Sequence, residues 1–157
     1  YQKIRNMFDQ YAYFSSIIND TNFPEIKTIA RVSGLMGMEE AMEKIRSVNP
    51  LILLIEDDAD GYLDLEDGNL DNGYHSFSII DTVKQGDSSD RYRALTACMT
   101  AGLKIINQML TDSREYKNAV YGLDRSRISY QRIGPLLNNT WGYIFTYTIR
   151  NERFTLV

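Results

Sequence analysis

Thr140-Trp141-Gly142-Tyr143-Ile144-Phe145-Thr146-Tyr147-Thr148-Ile149 carries the most regular alternation in the chain. Successive side chains of a strand point to opposite sides, so Trp141, Tyr143, Phe145, Tyr147 and Ile149 share one face. Thr140, Gly142, Ile144, Thr146 and Thr148 share the other. A strand with one aromatic face needs apolar material laid over it, and two amphipathic stretches supply it. At residues 2–18, Ile4, Met7, Phe8, Tyr11, Phe14 and Ile18 recur every three or four positions, the spacing of one helical face. From about residue 89, Tyr92, Leu95, Met99, Leu103, Ile106 and Leu110 draw a second line, accompanied by the small residues Ala94, Ala97, Ala101 and Gly102. Just upstream, Gly86-Asp87-Ser88-Ser89-Asp90 offers carboxylate and hydroxyl caps for the free amides of that helix.

The remaining segments are read against those three. Leu51-Ile52-Leu53-Leu54-Ile55 is too short for a helix and predicts a covered strand. Residues 74–84 alternate, with Phe77, Ile79 and Val83 on one face, and residues 127–133 alternate around Ile128 and Tyr130. Asn138-Asn139 marks a turn. Pro24 is compatible with a short helical segment at 24–29, since proline suits the first helical position. A turn at 34–37 then precedes a helix at 38–48 with Ala41, Met42, Ile45 and Val48 inward, which Asn49-Pro50 stops. Thr111-Asp112-Ser113 loosens the long helix, with a tail to residue 121, and a final edge strand is expected through Val157. These elements predict one α+β domain spanning 1–157, in the order α-(α)-β-β-α-β-β. Its mainly antiparallel sheet is covered on one side by the N-terminal helix and the long central helix.

Composition narrows the function classes. The 157 residues are 43% hydrophobic and 24% charged, ordinary for a folded domain. A net charge of −4 gives no global support for gripping a nucleic-acid backbone. Cys98 is the one cysteine, so no internal disulfide forms, and its apolar neighbours predict a buried thiol. No apolar run approaches the roughly 18 residues that cross a bilayer, and the first twenty residues lack the pattern of a signal peptide. Eleven tyrosines favour sheet faces and contact surfaces.

Residues 56–73 hold Glu56, Asp57, Asp58, Asp60, Asp64, Glu66, Asp67 and Asp71, with Asp-Gly and Asn-Gly steps that mark turns. This acidic excursion is expected to be a hairpin or loop, wet and mobile through mutual repulsion, with a short strand through Tyr62, Leu63 and Leu65. It is the first place to look for a metal, but calcium loops need a tight glycine and a distant acidic clamp that neither Asp67-Asn69-Asp71 nor Asp58-Asp60-Gly61 supplies. His75 and Cys98 are one of each, too few for a zinc site, and Gly34-Leu35-Met36-Gly37 lacks the lysine of a phosphate loop. No catalytic residue, metal or cofactor is assigned. Arg125, Arg127 and Arg132, with Tyr121 and Tyr130, form the best basic and aromatic grouping.

Ile133-Gly134-Pro135-Leu136-Leu137-Asn138-Asn139-Thr140-Trp141-Gly142-Tyr143-Ile144-Phe145-Thr146 resembles the late strand-turn-strand portion of small tail-terminator, tail-completion and head-tail joining proteins of long-tailed bacteriophages and prophages. The order of helices and strands along most of the chain resembles theirs as topology. This resemblance implies a non-enzymatic structural component of a virion, made in the bacterial cytoplasm. It would be a homo-oligomeric ring, usually a hexamer, that meets tail-tube or head-tail connector proteins and lets DNA pass without specific binding, with no membrane partner. Residues 74–84 and 140–149 would lie in the central sheet, and residues 56–73 would reach another ring component. The candidate interface residues are Asp57, Asp58, Asp60, Tyr62, Asp64, Tyr130, Arg132 and Trp141. The competing expectations are a metal-dependent hydrolase using the acidic 57–71 region and a small monomeric binding module with a tyrosine-rich groove.

Overall fold

The aromatic strand of the C-terminal third is β6 (Thr140–Glu152), and it pairs antiparallel with β4 (Leu70–Thr82) along its full length, from Leu70 opposite Glu152 to Thr82 opposite Thr140. The computed structural model describes residues 8–44, 51–56, 60–66 and 70–152. Along the chain the elements are α1 (Gln10–Ile17), β1 (Ile26–Val32), α2 (Gly34–Lys44), β2 (Leu51–Glu56), β3 (Asp60–Asp64), β4, α3 (Ser88–Asp112), β5 (Ser129–Leu136) and β6. The sheet runs β1-β2-β4-β6-β5, with β3 paired to the first residues of β4. Among the described strands only β1 and β2 pair in parallel; the α+β class and the mostly antiparallel sheet are as expected.

One face of the sheet carries the main core. Leu53 and Ile55 of β2, Phe77 and Ile79 of β4, and Phe145, Tyr147 and Ile149 of β6 all point to this side and meet Tyr13 and Phe14 of α1 with Cys98, Ala101, Ile105 and Met109 of α3. The rings of Phe77 and Phe145 are stacked with centroids 5.1 Å apart and already fill much of the layer above the sheet. That volume decides which face of α3 packs downward. The expected line Tyr92, Leu95, Met99, Leu103, Ile106, Leu110 is not the fully buried one: Met99, Ile106 and Leu110 pack partly buried against the core, and Tyr92 and Leu103 are exposed. Ala94, Cys98, Ala101, Gly102, Ile105 and Met109 are buried instead, a stripe about 100° round the axis at about 100° per residue. Small side chains let the helix backbone approach the rings, and dense packing rewards a small residue facing a large one. Gly102 lies against the Phe145 ring with no room for a Cβ.

Two expectations in the first third are corrected. Residues 24–29 are not a short helix; strand β1 occupies Ile26–Val32, because the β-branched Ile26, Thr28, Ile29 and Val32 gain a partner in the apolar β2 strand. A register shift between Ile26 and Thr28 lets Ile26 join the main core while Val32 faces the opposite side. Parallel pairing of β1 and β2 demands a crossover, and the helix expected at 38–48 begins earlier, as α2 at Gly34–Lys44, to supply it. Met38 and Met42 of α2 pack on Val32, Leu54 and Ile80, so α2 covers part of the face away from α1 and α3. The order is therefore α-β-α-β-β-β-α-β-β, and helices lie on both faces, not one. Ile4 and Met7 of the expected first helix, Ile45 and Val48 of the second, and the expected final strand at 153–157 lie outside the described residues.

The other elements follow their local chemistry. Asp87 caps α3 by accepting from the Asp90 amide at 3.0 Å, and Asp9 caps α1 through the Ala12 amide at 3.0 Å. Residues 113–122 are turns instead of a helical tail, and they carry Val120 and Leu123 into the core. Asn138 and Asn139 both adopt positive φ, 60° and 50°, at the tip of the β5-β6 hairpin, the geometry a tight hairpin requires and asparagine tolerates. The acidic excursion is the β3-β4 hairpin, with Asp60 opposite Tyr74 and Asp64 opposite Leu70.

Candidate functional site

Trp141 anchors the first of two surfaces. It stands opposite Asp81 across the β4-β6 ladder, on the same face as α3, close to where α3 begins. Its ring lies under Arg91 from the first turn of α3, at 5.2 Å from guanidinium carbon to centroid, and under Arg132 from β5, at 5.7 Å. A guanidinium on an aromatic face gains cation–π attraction while its N–H groups stay free to turn outward. The indole Nε1 donates to Asn139 Oδ1 at 3.1 Å, which ties the ring to the hairpin tip. Tyr130, two residues before Arg132 and 63% exposed, packs edge-on to Tyr143 at 5.9 Å. Sheet pairing thus brings Tyr130, Arg132 and Trp141 together on one face of the β5 edge.

Arg93 holds the base of this surface. Its Nη1 donates to the buried carboxylate of Asp81 at 2.9 Å and its Nε to Asp90 at 2.7 Å. Burial pushes the Asp81 carboxyl up while Arg93 pulls it down, and hydrogen bonding from Arg93 holds Asp90 below the ordinary carboxylate range. Asp90 also accepts from the Lys84 amide at 2.8 Å. These bonds join the end of β4 to the start of α3.

The second surface is the β3-β4 arm. Asp60, Tyr62 and Asp64 alternate on one face of β3, and the Tyr62 ring, 49% exposed, lies 6.0 Å from that of Tyr74. Leu63 and Leu65 are exposed as well. Asp57 and Asp58 lie outside the described residues. Asn72, paired with Tyr62 midway along the arm, is buried, and among the described residues its Oδ1 has no hydrogen-bond partner. Among the described residues, no three of the His, Cys, Asp and Glu side chains converge on a metal-sized site. The arm and the Trp141 surface do not meet. Seven residue steps of β4, from Tyr74 to Asp81, separate them, about 23 Å at strand spacing, and Asp60, Tyr62 and Asp64 face the opposite side of the sheet.

The expected grouping of Arg125, Arg127 and Arg132 is not assembled as such. Arg125 and Arg127 are exposed on the connection before β5, and Tyr121 packs against Tyr116 at 5.2 Å instead of joining Tyr130. Arg91 joins Arg132 on Trp141 instead, with Arg93 bonded to Asp81 beside them, and sequence reasoning missed this because only the β4-β6 pairing and the packing of α3 on the sheet bring residue 91 to residue 141. The signal within the sequence was Asp90-Arg91-Tyr92-Arg93, two arginines with an exposed tyrosine in the first turns of a helix.

A third feature adjoins the Trp141 surface. The line Tyr92, Leu95, Met99, Leu103, Ile106, Leu110 is a lateral flank of α3; Tyr92 is 75% and Leu103 53% exposed, and the others are partly buried. All five charged residues of α3 point elsewhere. Arg91 lies on Trp141, Arg93 bonds Asp81 and Asp90, Lys104 reaches Glu25 at 3.3 Å, and Asp112 accepts from Tyr13 at 2.7 Å. Since Lys104 and Asp112 face β1 and α1, the uncharged flank faces the β5 edge.

The Cys98 thiol and the His75 imidazole sit among apolar and aromatic side chains. Cys98 is fully buried, and burial pushes its thiol up to about 12, which leaves it protonated and unreactive at neutral pH. His75 stacks on Tyr147 and meets Phe8 edge-on at 5.0 Å. No helix among the described residues is long and apolar enough to cross a membrane. A scan of protein-family models and a search of curated proteins find no match to this chain.

Proposed function

We propose that this chain is a non-enzymatic structural subunit that associates with copies of itself, as a ring at the tail end or head-tail junction of a bacteriophage or prophage particle. The observation that carries the reading is the uncharged flank of α3 beside the β5 edge. A helix flank about five turns long carries no charge and six large apolar residues; Met99, Ile106 and Leu110 pack partly on the core, while Tyr92 and Leu103 are more than half exposed, the composition of an interface core, where charge is depleted and aromatic residues and methionine are enriched. The edge of β5 beside it offers backbone groups for pairing with another chain. The strand-turn-strand resemblance supplies the class of particle, with a tail tube or a head-tail connector as partner and DNA passing without being held. A net charge of −4 suits a passage that must not trap DNA.

Light scattering of the full chain over a range of concentrations tests the association, and electron microscopy of the protein mixed with purified tail tubes tests the role. The expected results are a mass several times that of one chain and a cap at one tube end. A monomer at every concentration, together with bare tube ends, would sink the reading.

A further inference from the structure

We infer that the β3 arm of one copy docks on the Trp141 surface of another copy of this chain. The contact rests on the proposed self-association and names the two surfaces that form one of its joints. Charge complementarity carries it. Among the described residues, Asp60 and Glu66 of the arm have no cation partner, while Arg91 and Arg132 lie on Trp141 and form no ion pair. Arg91, Arg132 and Tyr130 are exposed, as are Asp60, Tyr62 and Glu66. The arm offers carboxylates without a cation partner, the Trp141 surface offers guanidinium groups without an ion pair, and the exposed tyrosine rings on both bury well against aromatic and arginine surfaces.

The two surfaces cannot satisfy each other within one chain. They lie about 23 Å apart along β4 and on opposite faces of the sheet. Between copies they can, and because the surfaces are different, the contact is heterologous: each copy offers an arm to one neighbour and receives one from another. Repetition of that step closes a ring or extends a filament.

The test uses the full chain in two charge-reversed forms. In the first, Asp60→Lys and Glu66→Lys reverse the arm; in the second, Arg91→Glu and Arg132→Glu reverse the receiving surface. Circular-dichroism melts establish that both fold. Each form alone sets like charges against each other and is expected to associate at least about tenfold more weakly than wild type. An equimolar mixture restores association, because alternating copies then pair opposite charges at every joint.

A second measurement mixes Tyr62→Cys with Tyr130→Cys under mild oxidation and reads a disulfide between copies; the buried Cys98 stays silent. Wild type that assembles while both reversed forms assemble equally well, with no such disulfide, overturns the arm contact and leaves self-association standing. Wild type that stays monomeric with no disulfide overturns both. Duplex DNA that binds wild type and is lost with Arg132→Glu, again with no disulfide, assigns the surface to a nucleic acid and overturns the arm contact.

Discussion

Gly102 of α3 lies directly against the ring of Phe145 on β6, and this contact sets the distance between the long helix and the sheet. The ring has nowhere to retreat, because Phe77 is stacked behind it at 5.1 Å and both rings are fully buried. Glycine in a helix normally gives up about 1 kcal/mol relative to alanine. Overpacking a dense core costs about 1–3 kcal/mol. With the ring held in place the steric cost is expected to win, and Gly102→Ala should lower stability by up to about 2 kcal/mol in a urea titration. A stabilised Gly102→Ala would mean that α3 does not rest on Phe145.

Gln10 is a buried polar clamp. Its Nε2 donates to the carbonyls of Glu56 at 2.9 Å and Ser76 at 3.0 Å, where the β2-β4 ladder ends, and its Oε1 accepts from the Tyr147 hydroxyl. Gln10→Ala leaves all three groups short of a partner and should cost about 2–4 kcal/mol, at the cost of about 1–3 kcal/mol for each orphaned group before relaxation. Tyr147→Phe removes only one donor and should cost about 1 kcal/mol. Equal losses for the two variants would contradict the clamp.

The buried stripe on α3 shows a sharp contrast within one turn. Ile105 is fully buried, whereas Leu103 is 53% exposed. Ile105→Ala should cost about 2–5 kcal/mol. Leu103→Gln should stay within about 0.5 kcal/mol for the isolated chain and weaken its association. Chemical denaturation and light scattering on the same samples read both effects, and the reverse order of stability losses would restore the expected apolar line to the core.

Cys98 makes alkaline pH a probe of the core. Its folded value is raised by burial from 9.0 to about 12, so the folded state holds the thiol proton more tightly than the unfolded chain. The associated stability is whole below pH 9 and is lost as pH rises toward 12, by about 1.4 kcal/mol per unit. Unfolding titrations from pH 8 to 11 should show a smaller alkaline loss in Cys98→Ala than in wild type. Parallel curves would place the thiol outside the core.

The α+β class, the existence of strands β4 and β6, the Asn138-Asn139 turn and the capped start of α3 were legible because each rests on local signals. Alternation with period two, a pair of asparagines, and Asp87 before an amphipathic run need only neighbours in the chain. Of the candidate interface, the proximity of Tyr130, Arg132 and Trp141 follows from one hairpin and was within reach of that reasoning.

Tertiary structure decided the rest. Two stripes of α3 were apolar enough to face inward, and the choice went to the smaller residues because Phe77 and Phe145 had already taken the space. Residues 26–32 became a strand because β2 stood ready to pair, and α2 crossed to the far face because parallel pairing required a crossover. Arg91 meets Trp141 because β4 pairs with β6 and Asp81 holds Arg93 beside them. Periodicity reports which faces are apolar; which of them is buried depends on the shape of what lies opposite, and that shape is made by residues far away in the chain.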